Sequence, residues 1–325
     1  MKKIIGYLIL VIINYLVISL VVFTFSYTSL VNNKTYDLIW IKYIQKKLYF
    51  SGMRKLWNIN PDCSRYDKDL LYAPLEGECK FSNPEFNTTL NFDKYRRLNL
   101  KDDNVDKKEK IIITLGDSFT MGWGVENNET FAYNLQKLIS QKTLNLGVAS
   151  YGTVREIKRL KLNKFYDQAD TVIIQYHVND IYENKSLDIN KTYSKEEYDK
   201  YFISRENKSN KVIYLFKYYK KSLRLFFSHL NDLIFNKKEE HNLNEHLNYL
   251  ELIINNHLKN QDKRIIVFSV NEPHQNLIYE NKKVFDNFEF LVIDTQKEHF
   301  FIIDDHLNVK GHNHIAKTLF NYLSK

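Results

Sequence analysis

Residues 110–120 read KIIITLGDSFT, and this stretch decides the fold. Ile111–Leu115 is a short apolar run bounded by Lys110 and Gly116, the pattern of a strand buried on both faces of a parallel sheet. Gly116-Asp117-Ser118 then supplies turn and N-cap residues, which places Ser118 at the carboxyl edge of that sheet, where open α/β folds bind ligands. Toward the carboxyl end, further strands are expected at 144–148, 171–175, 265–270 and 290–293. Helical patterns fill 130–139, with Phe131, Leu135, Leu138 and Ile139 on one face, then 154–165 and 314–323. This alternation predicts an α/β architecture, a three-layer flavodoxin-like parallel sheet with helices on both faces.

Toward the amino end, residues 4–25 read IIGYLILVIINYLVISLVVFTF without a charge. At ~1.5 Å per residue they cover a hydrocarbon core of ~30 Å, so one transmembrane helix precedes the domain. The run leaves through Phe23-Thr24-Phe25-Ser26-Tyr27 rather than a small-x-small site, the mark of an uncleaved anchor. Lys2 and Lys3 favour a cytoplasmic amino terminus and an extracytoplasmic remainder, although Lys34, Lys42, Lys46 and Lys47 follow the run. Ile41, Ile44 and Leu48 have helical spacing, giving a juxtamembrane helix. Residues 58–106, with Pro61, Pro74 and Pro84, read as a small β-rich or irregular lead-in to which the sequence assigns no chemistry. The expected organisation is an anchor over 1–27, a juxtamembrane and lead-in segment over 28–109, and a catalytic domain over 110–325 with a helical insertion at about 183–262. Within that insertion, 211–227 is basic, aromatic and helical in pattern, a helix that packs its apolar face on the domain or, as the alternative, lies on a membrane surface or shapes a substrate groove.

The chain is 44% hydrophobic and 26% charged, which excludes widespread disorder. Its net charge of +8 is spread among acidic residues without a basic arm, so the expected partner is a membrane, reached through the apolar helix, and not a nucleic acid. Cys63 and Cys79 lie close together on a segment expected outside the cytoplasm, where they can pair as a disulfide.

A serine nucleophile needs a base, a group that orients the base, and donors for the oxyanion. Asp304-Asp305-His306 puts carboxylates within two residues of a histidine, a pairing that can fix the imidazole tautomer. Asn145 to Thr153 and His177-Val178-Asn179-Asp180 each follow a predicted strand and can present oxyanion donors, a side-chain amide in the case of Asn179. His312 and His314 alone make no metal cluster, so neither metal nor cofactor is expected.

In the order of these four blocks the chain resembles the SGNH, or GDSL-type, hydrolases over about residues 110–182 and 264–324. The resemblance implies Ser118 as nucleophile and, through its N–H, an oxyanion donor, with Asn179 as the side-chain donor and His306 as general base. Many members carry the acid three residues before the histidine, where this chain has Ile303; others have Asp-x-His, which selects Asp304 over Asp305. The second-block glycine aligns with Ser150 or Gly152, and a position requiring positive φ favours Gly152. His177 stands where the third block usually has glycine. The resemblance implies a Ser-His-Asp esterase acting on an acyl, most readily acetyl, ester of a small molecule or cell-surface polysaccharide. An O-acyltransferase would use the same residues, and a catalytically silent polysaccharide-binding or assembly protein is the reading from another class.

Overall fold

In a computed structural model of the protein, Ile111–Leu115 is an interior strand of a five-stranded parallel sheet because its side chains have apolar partners above and below. The structure describes residues 2–32, 39–100, 104–106, 109–185, 188–206, 239–258, 262–273, 275–278 and 285–325. Numbering only the strands of this sheet, β1 is Ile111–Leu115, β2 Thr143–Asn145, β3 Ala169–Tyr176, β4 Arg264–Asn271 and β5 Glu289–Asp294. Their spatial order is β2-β1-β3-β4-β5, all parallel, which is the flavodoxin-like order expected. β2 is shorter than its apolar run: pairing stops at Asn145, whose side-chain Nδ2 donates to Thr120 O, and residues 146–152 form a loop over the sheet edge.

Helices cover both faces. Ile111, Ile113 and Leu115 pack with Val154 and Ile157 of the helix Thr153–Lys161 and with Leu243, Leu247 and Leu250 of the helix Leu243–His257. Ile112 points the other way, into a cluster with Phe131 and Leu135 of the helix Phe131–Ile139 and Ile315 and Leu319 of the helix Val309–Leu323. Leu243–His257 lies inside the region expected to be an insertion, yet it packs as a crossover helix between β3 and β4. The basic aromatic helix expected over 211–227 lies outside the described residues.

The lead-in is a pair of antiparallel hairpins, Ser64–Asp67 with Leu71–Pro74 and Gly77–Asn83 with Phe86–Phe92. Cys63 and Cys79 are disulfide-bonded and join them. Phe92, Arg97 and Asn145 pair in succession, so the second hairpin continues onto the edge of β2. Ahead of these, the apolar helix Lys2–Val31 has a stretch of 28 residues, Ile4–Val31, long and apolar enough to cross a membrane. Its outer part is exposed, whereas Val22, Phe23 and Leu30 pack with Ile44 and Leu48 of the juxtamembrane helix Ile39–Leu48 and with Ile303.

Candidate active site

Gly116 makes the turn out of β1 possible. Its φ is +150°, and a Cβ there would sit 2.1 Å from Thr120 Oγ1, so only glycine fits. Asp117 caps the short helix Ser118–Met121 by accepting from Phe119 N at 2.9 Å, which sets Ser118 at the sheet's carboxyl edge. Burial, the largest influence, pushes the Asp117 carboxyl up; the nearby His177 charge and the Phe119 N–H oppose it.

Ser118 and His306, 188 residues apart, meet with Oγ 2.6 Å from Nε2. On the other side of the ring Nδ1 is 2.5 Å from Asp304 Oδ1, the contact that assigns the proton to Nδ1 and leaves Nε2 free to accept. Asp305 is the looser neighbour, half-exposed and 3.4 Å from Nδ1. The His306 ring stacks on Trp123, centroids 4.8 Å apart, and packs against Phe119. Asp304 is 2% exposed. Burial alone would raise its carboxyl, but the charge and hydrogen bond of His306, the Arg54 guanidinium and the Tyr49 hydroxyl together hold it well below the usual carboxylate range.

Four residues that the sequence did not single out complete this arrangement. Tyr49 OH and Trp123 Nε1 both donate to Asp304 Oδ2, the latter at 3.2 Å. Arg54 lies over the Trp123 ring at 4.6 Å and brings Nη2 to 3.5 Å from Asp304 Oδ1 and 2.8 Å from His306 Nδ1. Glu85, at the turn of the second hairpin, accepts from Ile302, Ile303 and Asp304 N–H groups at 2.5, 2.8 and 2.8 Å, clamping the loop that carries the acid. Only Trp123, one of three tryptophans and five residues beyond Ser118, offered a local signal in the sequence.

Asn179, Ser150 and Gly152 line the same cleft of about 400 Å³ as Ser118 and His306. Their backbones differ from the sequence expectation. Ser150 has φ +63°, in the left-handed region, while Gly152 has φ −99° and caps the helix Thr153–Lys161. At Gly152 space is tight, since a Cβ there would meet the Glu183 side chain at 3.0 Å. The strained serine is held by Arg155, whose guanidinium donates to Ser150 O at 2.6 Å and pairs with Glu183. His177, in the usual glycine position, turns its Nε2 to Glu272 Oε1 at 3.2 Å and forms one cleft wall. Burial opposes its protonation, but the Glu272 bond and the charges of Asp117, Glu272 and Asp180 prevail and raise its pKa to about 10. The Asn179 N–H lies 3.3 Å from Nδ1, a contact that becomes a hydrogen bond only in the neutral ring, where that nitrogen is bare.

Among the described residues Asp304, Asp305 and His306 alone bring three acidic or histidine ligand atoms within 4.8 Å of one another. Arg54 carries a fixed cation into that group, 3.8 Å from Asp305 Oδ1 as well as against His306, which disfavours a metal there.

A flavodoxin-like sheet with a serine, a histidine and an aspartate in contact at its carboxyl edge defines the class of an α/β serine hydrolase or esterase. The family model of GDSL-like lipases/acylhydrolases matches residues 112–319, nearly two thirds of the chain, and the protein belongs to that family. No curated protein matches the chain. Similar solved structures include a protein assigned to the lipolytic G-D-S-L family from Desulfitobacterium hafniense DCB-2, with 10% identity, 66% of this chain and 99% of that one covered, and a TM-score of 0.36. A member of the same family from Veillonella parvula DSM 2008 has 12% identity, coverage of 66% and 98%, and a TM-score of 0.33. An acetyl xylan esterase from the rumen bacterium Butyrivibrio proteoclasticus has 12% identity, coverage of 68% and 65%, and a TM-score of 0.35.

Proposed function

We propose that the protein is a membrane-anchored serine esterase that removes a short acyl group, acetyl in the simplest case, from a hydroxyl-rich carbohydrate outside the cytoplasm. The observation that carries this reading is the continuous chain Ser118 Oγ, His306 Nε2, His306 Nδ1, Asp304 Oδ1, with links of 2.6 and 2.5 Å. His306 takes the Ser118 proton as Oγ bonds to the acyl carbon, and Asp304 stabilises the imidazolium that forms. The carbonyl oxygen gains negative charge toward the Ser118 N–H, the Asn179 amide and the backbone at Ser150 and Gly152. Collapse breaks the ester bond, and His306 returns its proton to the departing alcohol. Water then repeats the sequence on the acyl-enzyme; a second sugar hydroxyl in its place makes the reaction a transfer.

The cleft offers Asp305, Glu183, Glu272, Asn179 and the exposed ring of Tyr182, a polar and aromatic lining suited to sugar hydroxyls and not to a long acyl chain. A disulfide favours an oxidising compartment. The burial of Val22, Phe23 and Leu30 against the domain favours a helix that is retained as an anchor over one removed as a signal sequence. Labelling of the full chain by a fluorophosphonate probe tests the nucleophile: the wild type reacts, and Ser118→Ala and His306→Ala do not. Undiminished labelling of Ser118→Ala sinks the mechanism. Acetate released from an acetylated oligosaccharide, compared with acetyl appearing on an added glycan, separates hydrolysis from transfer.

A further inference from the structure

The two oxygens of Asp304 have different partners. Oδ1 faces His306, through Nδ1 and the backbone N–H at 3.2 Å, whereas Oδ2 takes the Trp123 and Tyr49 donors. Tyr49 comes from outside the family match, which begins at residue 112. It opens the π-helical turn Tyr49–Met53 directly after the juxtamembrane helix Ile39–Leu48, and Arg54 N closes that turn on Tyr49 O at 2.9 Å. The ring is fully buried in the cluster that holds Val22, Phe23 and Leu30 of the membrane helix together with Ile303, the residue preceding the acid. A hydrogen bond also ties the two helices, from Gln45 Nε2 to Ser29 Oγ at 2.5 Å. The ionisable groups facing Asp304 are thus His306, Arg54 and Tyr49, with Glu85 on its backbone N–H. Burial, chiefly, and the Asp304 charge keep the Tyr49 hydroxyl protonated, so it acts only as a donor.

We propose that Tyr49 is a positioning residue for Asp304, and that through it the membrane helix and juxtamembrane helix form part of the catalytic centre instead of a passive tether. The inference rests on the triad reading above. Removing the Tyr49 hydroxyl leaves Oδ2 with one fewer donor, so the carboxylate becomes a stronger acceptor for His306 and also less firmly aimed.

Full-length protein in detergent micelles, assayed on an aryl acetate, tests this. In Tyr49→Phe, kcat falls by about tenfold with KM nearly unchanged, and the acid limb of kcat/KM moves upward by roughly half a pH unit. A ring-fluorinated tyrosine at position 49 keeps the shape and donates more strongly, so the limb moves downward; this variant also decides the matter if Tyr49→Phe does not fold. A merely packed tyrosine gives no opposite-signed pair of shifts, and an unmoved limb in the fluorinated protein overturns the proposal. Leu30→Ala, which touches no reacting atom, lowers kcat several-fold if the anchor shares in the site; an unchanged kcat overturns that half. Loss of fluorophosphonate labelling in Ser118→Ala, beside unmoved limbs at position 49, leaves the triad standing without this role for Tyr49. Persistent labelling of Ser118→Ala removes both.

Discussion

Two aspartates precede His306, and their surroundings divide the work. Asp304 is buried, accepts from four side chains and has its pKa depressed, whereas Asp305 is half-exposed and reaches the ring only at 3.4 Å. Asp304→Asn therefore loses the acceptor that fixes the Nδ1 proton and is expected to lower kcat by roughly 10³–10⁴-fold, while Asp305→Asn stays within about threefold. Steady-state assays of the two variants check the assignment; equal losses would overturn it. Ser150 carries a different cost, a left-handed backbone at φ +63° without being glycine. Ser150→Gly is expected to stabilise the protein by up to about 1 kcal/mol, read as a higher melting temperature, because glycine removes the Cβ clash there. At this scale the sequence disclosed what is local. A Gly-Asp-Ser turn after a strand and a histidine beside two acids on a loop are short-range patterns, so Ser118 and His306 stood out as candidates, while the family resemblance chose Asp304 over Asp305. Tyr49, Arg54 and Glu85 each reach the site by a contact across more than 200 residues, and no periodicity records such a contact.

The strands were legible for the same reason that they are buried: in β1, neighbouring isoleucines enter opposite clusters, which produces an unbroken apolar run. The lead-in hairpins were not, because their pattern depends on what they cover. Trp57, Tyr72, Phe81 and Phe92 pack against Met121, Trp123 and Tyr151 of the loops around the site, so their burial is set by another element. Arg97, between the second hairpin and β2, shows the consequence. Its buried guanidinium donates to Met121 O, Gly122 O and Val125 O at 2.6, 2.8 and 2.6 Å, holding the loop that carries Trp123 under His306. Burial lowers its pKa to about 9, so it remains charged at neutral pH. Arg97→Met strands those carbonyls and is expected to cost about 3–5 kcal/mol, seen as a lower melting temperature together with reduced activity. Cys63→Ser opens a loop of sequence separation 16 and is expected to lose about 3 kcal/mol, matched in the wild type by adding reductant. A reductant-insensitive melting curve would show that the hairpins are secured by packing alone.

At the scale of the whole molecule, buried ionisable groups on opposite sides of the sheet set how stability depends on pH. His312 accepts from Phe131 N through Nδ1 and is driven neutral by burial, with smaller help from Arg97, to a pKa of about 3. Its folded pKa lies below the unfolded value near 6.5, so its contribution is complete above 6.5 and is lost as pH falls toward 3, at about 1.4 kcal/mol per pH unit. Glu156 and Asp180 behave in the opposite way. Both are buried, Glu156 with neither oxygen hydrogen-bonded, and burial raises both pKa values well above the usual carboxylate value, helped at Glu156 by the charges of Asp180 and Asp117 and at Asp180 by that of Asp117. Folding then takes up protons that the unfolded chain has released, so stability is full below the ordinary carboxylate pKa and declines as pH rises past it, again by about 1.4 kcal/mol per unit for each retained proton. Below 6.5 the His312 gain offsets part of this decline; above 6.5 only the decline remains. Two declining carboxylates outweigh one rising histidine, so the melting temperature of the full chain is expected to peak near the ordinary carboxylate pKa, about pH 4, and to fall as pH rises from there. Glu156→Gln should make the alkaline arm shallower, leaving the part set by Asp180 and His177, and His312→Gln should make the acid arm shallower, leaving the part set by Asp304. An alkaline arm unchanged in Glu156→Gln would mean that Glu156 enters the fold ionised, and that its charge is compensated inside the domain.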